Sequence, residues 1–285
     1  MSVGMNAAGG TVPSWPSVLA VVAHPDDETF GLGAVIDLMT RAGAAVHVVC
    51  FTHGEASTLN ETGTSLHGTR SQELRRASAE LGVASVDLLD YGDGQLSGVP
   101  RGELAGHVQK AADQYSPSGL LVFDDTGVTG HPDHRAATAA AVRAAGACRL
   151  PVLAWALPDF VARALREETG QPFAGQPPGG LHLRLRVDRA RQCRAALAHA
   201  SQISSAAVIW RRLQLLGDYE HLRWLRGPKR QPDLRDTGRA GLALGSLAPG
   251  DPAQDSGPPR RARPRVVPLY WRNECASASA GGPAG

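Results

Sequence analysis

Short apolar runs alternate along this chain with longer segments in which apolar residues recur at helical spacing. The runs predict six buried strands, over residues 18–23, 45–51, 86–89, 120–123, 152–157 and 181–187. The periodic segments and the glycines that end them predict helices over residues 34–41, 70–81, 104–115, 132–147, 189–200 and 204–216. Helices between successive strands indicate βαβ crossovers. The pattern therefore predicts an α/β fold, a three-layer sandwich around a mostly parallel sheet.

The pattern is lost at both ends of the chain. Residues 1–16 precede the first apolar run, and we expect them to form a flexible N-terminus. Residues 228–285 are rich in Pro, Gly and Arg, with too little apolar surface to offset the entropy of ordering them. We expect a disordered tail there, in which residues 266–271 could dock as a short extended piece. Residues 17–227 remain as the folded domain.

Composition bears on the cellular compartment and the partners of the protein. We find neither a secretion signal nor an apolar segment of about 18 residues, so we expect no membrane span. The four cysteines are scattered, which suits a reducing, cytoplasmic compartment. The basic run at 260–265 could contact nucleic acid or anionic lipid, but it lacks interleaved aromatic residues. We interpret it as a solvated tail and expect no nucleic-acid partner, while the sequence leaves the oligomeric state open.

Two clusters rich in His and Asp follow apolar runs far apart in the chain. One is the run from His24 to Glu28, directly after the first predicted strand, and the other runs from His131 to His134, after the fourth. Ligand sites in parallel sheets lie at the carboxyl ends of the strands, so both clusters should lie at one edge of the sheet. The acidic first cluster would repel phosphate, and no glycine-rich fingerprint follows the strand. A dinucleotide site is therefore disfavoured.

Imidazole and carboxylate together suit a hydrolytic zinc site with three protein ligands and a water. His24 and Asp27 are three residues apart at a turn and could converge on one ion, with His134 as the third ligand. That leaves Asp26 as a general base and His131 as a cationic or acidic group. Fe²⁺ also suits this ligand set, so the sequence does not fix the metal.

Neighbouring residues support or compete with this assignment. Asp133 is expected to orient a histidine, and Glu28 to make supporting or capping contacts. His53 follows the second strand and could contact substrate, although a surface histidine is the commoner outcome. Each cluster alone also has a structural explanation, because a His-Pro-Asp turn often caps a helix and Asp27 could be a carboxylate at a helix start.

These residues carry a resemblance. The segments 23–28 and 130–134, with further segments at 52–55, 70–74, 93–94 and 199–202, resemble the LmbE/PIG-L family of zinc-dependent de-N-acetylases in the family's order. The resemblance implies a Rossmann-like fold and removal of an N-acyl group, usually acetyl, from an N-acetylglucosamine-type amino sugar or small glycoside. It implies the zinc ligands and the base named above, and His131 as the partner of the oxyanion or as the acid. It also implies that Arg70 and Asp93 bind the sugar or its polar head group.

One departure from the family concerns the oxyanion. Some relatives in the mycothiol pathway have a tyrosine two residues before the first histidine of the second motif, and this chain has Thr129 there. Either His131 acts alone or another side chain helps it. Two other functions stay open: an amidase for a larger amide such as a thiol S-conjugate, and a metal-binding protein without catalysis. The presence of Asp26 and His131 argues against the last, because a pure binding site needs neither.

Overall fold

Seven strands form one mixed sheet within the residues that the computed structural model describes, 10–57, 66–203 and 207–228. Across the sheet the order is β3-β2-β1-β4-β5-β7-β6. The first five of these strands are parallel to one another, and β7 runs antiparallel to both β5 and β6. Along the chain the strands are β1 Ser17–Val22, β2 Ala45–Thr52, β3 Ser85–Tyr91, β4 Gly119–Phe123, β5 Val152–Trp155, β6 Leu183–Arg186 and β7 Tyr219–Arg226. The predicted mostly parallel sheet is confirmed.

Helices cover both faces of this sheet. Their bounds are α1 Asp27–Phe30, α2 Gly33–Arg41, α3 Leu66–Glu80, α4 Arg101–Tyr115, α5 Pro132–Cys148, α6 Asp159–Thr169, α7 Ala190–Ala198, α8 Ala200–Ile203 and α9 Ala207–Leu216. Alternate residues of β1 point to opposite faces: Val18 and Ala20 pack with α2 and α3, whereas Leu19 and Val21 pack with α4 and α5. Two apolar layers thus enclose the sheet, as expected for a three-layer sandwich.

Four elements were not predicted from the sequence. The one-turn helix α1 was expected as part of a turn, and no separate element was predicted for α6, α8 or β7. Val161, Ala162 and Leu165 of α6 are buried at helical spacing, so the pattern of a short amphipathic helix was present in the sequence and was missed. In β7 the buried set includes Glu220 and a histidine, so period-two alternation of apolar residues is absent.

Helix α3 also begins earlier than expected, at Leu66 instead of residue 70. This places His67 in its first turn. Among the helices described, none combines the length and the apolar character needed to cross a bilayer. The tail over residues 229–285, with its possible docking segment, lies outside the described residues, as do residues 1–9 of the expected N-terminus.

The sheet order explains how two distant segments meet. Strands β1 and β4 are parallel neighbours, with Val18 opposite Gly119, so the segments that follow them emerge side by side. The turn after β1 leads into α1, and the loop after β4 leads into α5. Both His/Asp clusters therefore lie at the carboxyl edge of the sheet, where ligand sites of open α/β sheets occur.

Candidate metal and catalytic site

The first half of the site is a tight turn between β1 and α1. The Asp27 carboxylate closes this turn by accepting hydrogen bonds from the backbone N–H groups of His24 at 3.0 Å and Ala23 at 3.2 Å. Asp26, the residue before the helix, has a φ of 109°, a left-handed conformation that is unusual for a residue with a Cβ. Such strain is found at functional sites, where surrounding contacts hold it in place. The turn directs both His24 and Asp27 toward α5.

Three ligand atoms converge between this turn and α5. His24 Nδ1 lies 3.3 Å from His134 Nε2 and 3.6 Å from Asp27 Oδ2, and His134 Nε2 lies 3.1 Å from Asp27 Oδ1. Ligands bonded to a tetrahedral zinc ion are about 3.3 Å apart, because each lies about 2.0–2.1 Å from the metal. The three residues thus have the separations of a zinc ligand set. All three side chains are at least 85% buried, with 10%, 8% and 15% of their surfaces exposed.

The outer contacts of the two histidines fix which nitrogen faces this centre. His134 Nδ1 lies 3.2 Å from the carbonyl oxygen of Gly127, so this nitrogen carries a proton and donates it. His24 Nε2 lies 3.3 Å from Asp133 Oδ2 and 3.1 Å from Asp93 Oδ1, both of them acceptors. When both rings are neutral, the inner nitrogens are left with lone pairs that face each other beside a carboxylate. A proton on one ring or a metal cation makes that arrangement favourable, and outer hydrogen bonds of this kind are usual for histidines that bind metals.

Two backbone hydrogen bonds hold the Asp133 side chain in place. Its Oδ2 accepts from the backbone N–H of Gly94 at 2.7 Å and its Oδ1 from that of Leu96 at 3.0 Å. The side chain is fully buried at the start of α5. Two other sets of ligand atoms also come together here, His24 with His131 and His134, and His24 with Asp93 and Asp133. The backbone contacts of Asp133 suit an orienting group better than a ligand.

Electrostatics reflect the same convergence of charge. Burial raises the pKa of Asp27, but the charge of His134 and hydrogen bonds to both histidines outweigh this and hold that pKa well below its usual value. Burial lowers the pKa of His24, yet hydrogen bonds to Asp133, Asp27 and Asp93 raise it well above normal. The carboxylates therefore provide a strongly negative pocket that favours a positive charge at its centre.

Asp26 lies beside this centre and is held by Arg70. The Arg70 Nη2 donates to Asp26 Oδ2 at 2.9 Å and to the carbonyl oxygen of Pro25 at 2.5 Å, and Nη1 donates to that of Gly54. Gly54 has a φ of 63°, and a Cβ there would lie 2.2 Å from Arg70 Nη1. Burial raises the pKa of Asp26 to about 6, against the opposing charge of Arg70. That value suits a group that exchanges protons near neutral pH.

His131 is the residue before α5, and its ring borders the same centre. Its Nδ1 accepts a hydrogen bond from the backbone N–H of Asp133 at 3.3 Å, so in the neutral ring Nε2 carries the proton. The ring lies 4.9 Å from that of His24 and 4.8 Å from that of His134, between centroids. Burial and the charges of these two histidines lower the pKa of His131. The structure therefore favours a neutral hydrogen-bond donor over the cationic group that the sequence left open.

A buried ion pair supports the turn between β1 and α1. Glu28 is fully buried; its Oε2 accepts from the backbone N–H of Asp26 at 2.9 Å, and its Oε1 lies 2.9 Å from His199 Nε2. Burial lowers the pKa of His199, but the charge of Glu28 raises it above normal. Nothing in the sequence spacing pairs these two residues, because 171 positions separate them. Glu28 thus links the turn to His199, and its supporting role stays a prediction.

The residues expected to bind substrate occupy different surroundings. Arg70 is only 3% exposed, and both of its terminal nitrogens bond to the protein. His53 is also buried, with Ser71 on one ring nitrogen and Asp90 on the other. Asp93 stands closest to the centre, with Oδ1 near His24 and Oδ2 accepting from a backbone N–H at 3.0 Å.

Comparisons with known proteins identify the family of this chain. The sequence profile of the family described as PIG-L, GlcNAc-PI de-N-acetylase, matches residues 19–145. The chain is 29% identical over 215 residues to a probable N-acetyl-alpha-D-glucosaminyl L-malate deacetylase 2 of Bacillus anthracis, covering 73% of this chain and 91% of that protein. It is 31% identical over 236 residues to the 1D-myo-inositol 2-acetamido-2-deoxy-alpha-D-glucopyranoside deacetylase of Mycobacterium sp. strain KMS, covering 67% of this chain and 76% of that one.

A solved structure shows the same architecture. The zinc-inhibited form of a teicoplanin deacetylase superposes with a TM-score of 0.58 at 19% identity, covering 75% of this chain and 99% of the other. The fold and the converging His/Asp site define an α/β protein of the LmbE type. The chain belongs to the PIG-L family of de-N-acetylases, which confirms the resemblance seen in the sequence.

Proposed function

We propose that this protein is a zinc-dependent hydrolase that removes an N-acetyl group from an N-acetylglucosamine-type amino sugar or small glycoside. The observation that carries the proposal is the convergence of His24, Asp27 and His134, at 3.1–3.6 Å, beside the two non-ligand groups Asp26 and His131. Relatives named for glucosaminyl malate and glucosaminyl inositol substrates support the substrate class.

His24, Asp27 and His134 would hold the metal, and the donor set of two imidazoles and one carboxylate fits Zn²⁺ or Fe²⁺. When bound, the metal supplies Lewis acidity, which lowers the pKa of an attacking water and polarises the amide carbonyl. Asp133 and the backbone of Gly127 orient the two histidines, so that Nδ1 of His24 and Nε2 of His134 face inward before an ion arrives. This preorganisation favours binding, because little side-chain entropy is lost.

Asp26 would take the proton of the attacking water and pass it to the amine that leaves. A carboxylate with a pKa of about 6 is mostly ionised at neutral pH, and it is still basic enough to accept a proton. Arg70 holds one oxygen of Asp26, which leaves the other to receive the proton. Since Arg70 is buried, we assign it to the positioning of Asp26 and not to contact with the sugar.

His131 would donate from Nε2 to the oxygen that becomes negative when water attacks the carbonyl. Its Nδ1 accepts from the helix backbone, which fixes the donor nitrogen and the ring orientation. Thr129 lies in the turn just before it, at a half-buried position. We propose His131 as the main donor, worth about 10²–10³ in rate as is typical for one group of an oxyanion hole. Asp93 is proposed to accept from a sugar hydroxyl, whereas the buried His53 is left without this role.

Acetate release tests the proposal. The full chain, loaded with one equivalent of Zn²⁺, should release acetate from N-acetylglucosaminyl inositol or malate but not from cysteinyl-glucosamine conjugates. Release of the cysteinyl acid and the free amino sugar from the conjugates alone would favour the larger-amide amidase instead, because that cleavage liberates no acetate. Zinc binding with no hydrolysis of any amide would contradict the proposal and support the non-catalytic alternative. A cytoplasmic location, small-molecule amino sugars as the partners and one zinc ion at the site of His24, Asp27 and His134 are part of this proposal.

A further inference from the structure

A second group of metal-ligand side chains lies away from the deacetylase site. His53, His67 and Asp90 come from the end of β2, the first turn of α3 and the end of β3, and their ligand atoms lie within 4.8 Å of one another. His53 Nε2 is 2.8 Å from Asp90 Oδ1, and His67 Nε2 is 4.0 Å from the same oxygen. These ligands follow or lie in β2, α3 and β3, whereas those of the deacetylase site follow β1 or lie in α1 and α5, so the two sites share no ligand.

The hydrogen bonds of Ser71 determine the protonation of His53. The Ser71 hydroxyl lies 2.6 Å from the carbonyl oxygen of His67, which can only accept, so the single hydroxyl proton is donated there. The same Oγ lies 2.7 Å from His53 Nδ1 and must therefore accept a proton from it. This fixes the proton of a neutral His53 on Nδ1 and leaves a lone pair on Nε2.

That lone pair faces the carboxylate of Asp90. Two electron-rich atoms 2.8 Å apart repel each other unless a positive charge lies between or beside them. Either a proton converts His53 to imidazolium, or a metal ion binds Nε2 and the carboxylate together. The Nδ1–H donated to Ser71 is the outer contact that histidine ligands of metals usually have. His67 offers a third ligand at the same place.

We propose that His53, His67 and Asp90 form a binding site for a second divalent transition-metal ion, of the Zn²⁺ class. His53 is buried and fixed, whereas the side chains of His67 and Asp90 are 55% and 86% exposed, so the ion can enter from solvent. The rings of His53 and His67 are stacked at 3.5 Å between centroids. His67 must turn out of this stack to bind the shared ion, and its exposure permits the rotation. Water completes the coordination.

An ion at this site would tie the start of α3 to the ends of β2 and β3. His67 lies three residues before Arg70, and His53 lies next to Gly54, whose carbonyl accepts from Arg70. The site therefore fastens both segments that hold the guanidinium beside Asp26. Its occupancy is a separate event from metal binding by His24, Asp27 and His134.

Zinc stoichiometry and affinity of the untagged full chain test the proposal, with Zn²⁺ alone as the probe. Calorimetry should show two binding events in the unaltered chain. His67→Gln and Asp90→Asn should each weaken one event by about tenfold or more, as loss of a metal contact does. Asp27→Ala should remove the other event, and the double variant with His67→Gln should retain only the weakened one. His182→Gln, at an exposed histidine beside the opposite edge strand β6, should keep both events.

Each variant is checked by thermal unfolding in zinc-free buffer, where the two exposed positions should tolerate substitution. The proposal is overturned if His67→Gln and Asp90→Asn bind zinc with the stoichiometry and affinity of the unaltered chain. It is also overturned if nitrogen NMR shows His53 doubly protonated at pH 7.5 with excess zinc, because the cation is then a proton. The Asp27→Ala variant tests only the site of His24, Asp27 and His134. A failure of that ligand assignment is therefore distinguished from a failure of the proposal for His53, His67 and Asp90.

Discussion

Replacement of Asp26 by Asn is the sharpest perturbation of the proposed chemistry. Asn has the same size, tolerates the left-handed conformation at this position, and keeps an oxygen to accept from Arg70. It does not accept the water proton. The adjacent ligand Asp27 and its contacts with both histidines are unchanged, so zinc should remain bound.

The expected fall in kcat follows from the role of Asp26 as general base and from its pKa. With a pKa of about 6, roughly nine tenths of Asp26 is ionised at pH 7, and a bound cation would raise that fraction further. Nearly all enzyme molecules thus have the base ready, and its removal should cost the full contribution of general-base catalysis. That contribution is about 10²–10⁴ in rate, equivalent to about 3–5 kcal/mol of activation free energy.

The assay compares kcat for acetate release with zinc content per chain, measured on the same preparation. Asp26→Asn should lower kcat by the factor above while it retains zinc and the melting temperature of the unaltered protein. Asp159→Asn, in the exposed first turn of α6, serves as the matched control and should change neither quantity. A fall in kcat of less than about threefold would refute the role of Asp26 as base, since a general base contributes about 10² at least. Loss of zinc would show instead that Asp26 is a ligand.

Three further substitutions test the position of Arg70, the orientation of His24 and the effect of pH on stability. Gly54→Ala should displace Arg70 and lower kcat by about tenfold or more. The left-handed backbone at this position should also cost about 1–2 kcal/mol of unfolding free energy. An unchanged kcat in steady-state kinetics would show that Arg70 does not act through Asp26. Asp133→Asn should weaken zinc binding about 10–100-fold in a chelator competition, and equal affinity would contradict its orienting role. Burial lowers the pKa of His221 to about 4, below its unfolded value, so stability is present above about pH 6.5 and falls as the pH drops. Between pH 7.5 and pH 4.5 the unaltered chain should lose about 2–3 kcal/mol more unfolding free energy than His221→Gln in urea titrations, and parallel pH profiles would contradict this.

The sequence predicts the parts of this structure that depend on local pattern. Strands β1 and β4 are continuous apolar runs because both of their faces are buried, and this also shows where they end. The two clusters follow these ends directly, which is why their meeting could be inferred from a parallel sheet. The boundaries of α2, α4 and α5 likewise follow from periodicity within about three residues.

Contacts between distant polar residues are not visible in the pattern. Glu220 is buried in β7 because Arg189 and the indole N–H of Trp155 pair with it, at 31 and 65 positions away. The sequence pattern does not show these partners, so a Glu at this position is interpreted as exposed and β7 is missed. Arg70 gives a similar case in the site: the family resemblance implies contact with the sugar, whereas in the structure Arg70 is buried under the turn and pairs with Asp26.

The measurement that tests the central claim most directly is an anomalous difference map at the zinc edge, from crystals of the full chain grown with zinc. We expect a peak bonded to His24 Nδ1, His134 Nε2 and Asp27, about 2.0–2.2 Å from each. A peak bonded to Asp93 and Asp133 on the other side of His24, or no peak near His24, would contradict the ligand set. In either case Asp26 would lose its place beside the activated water.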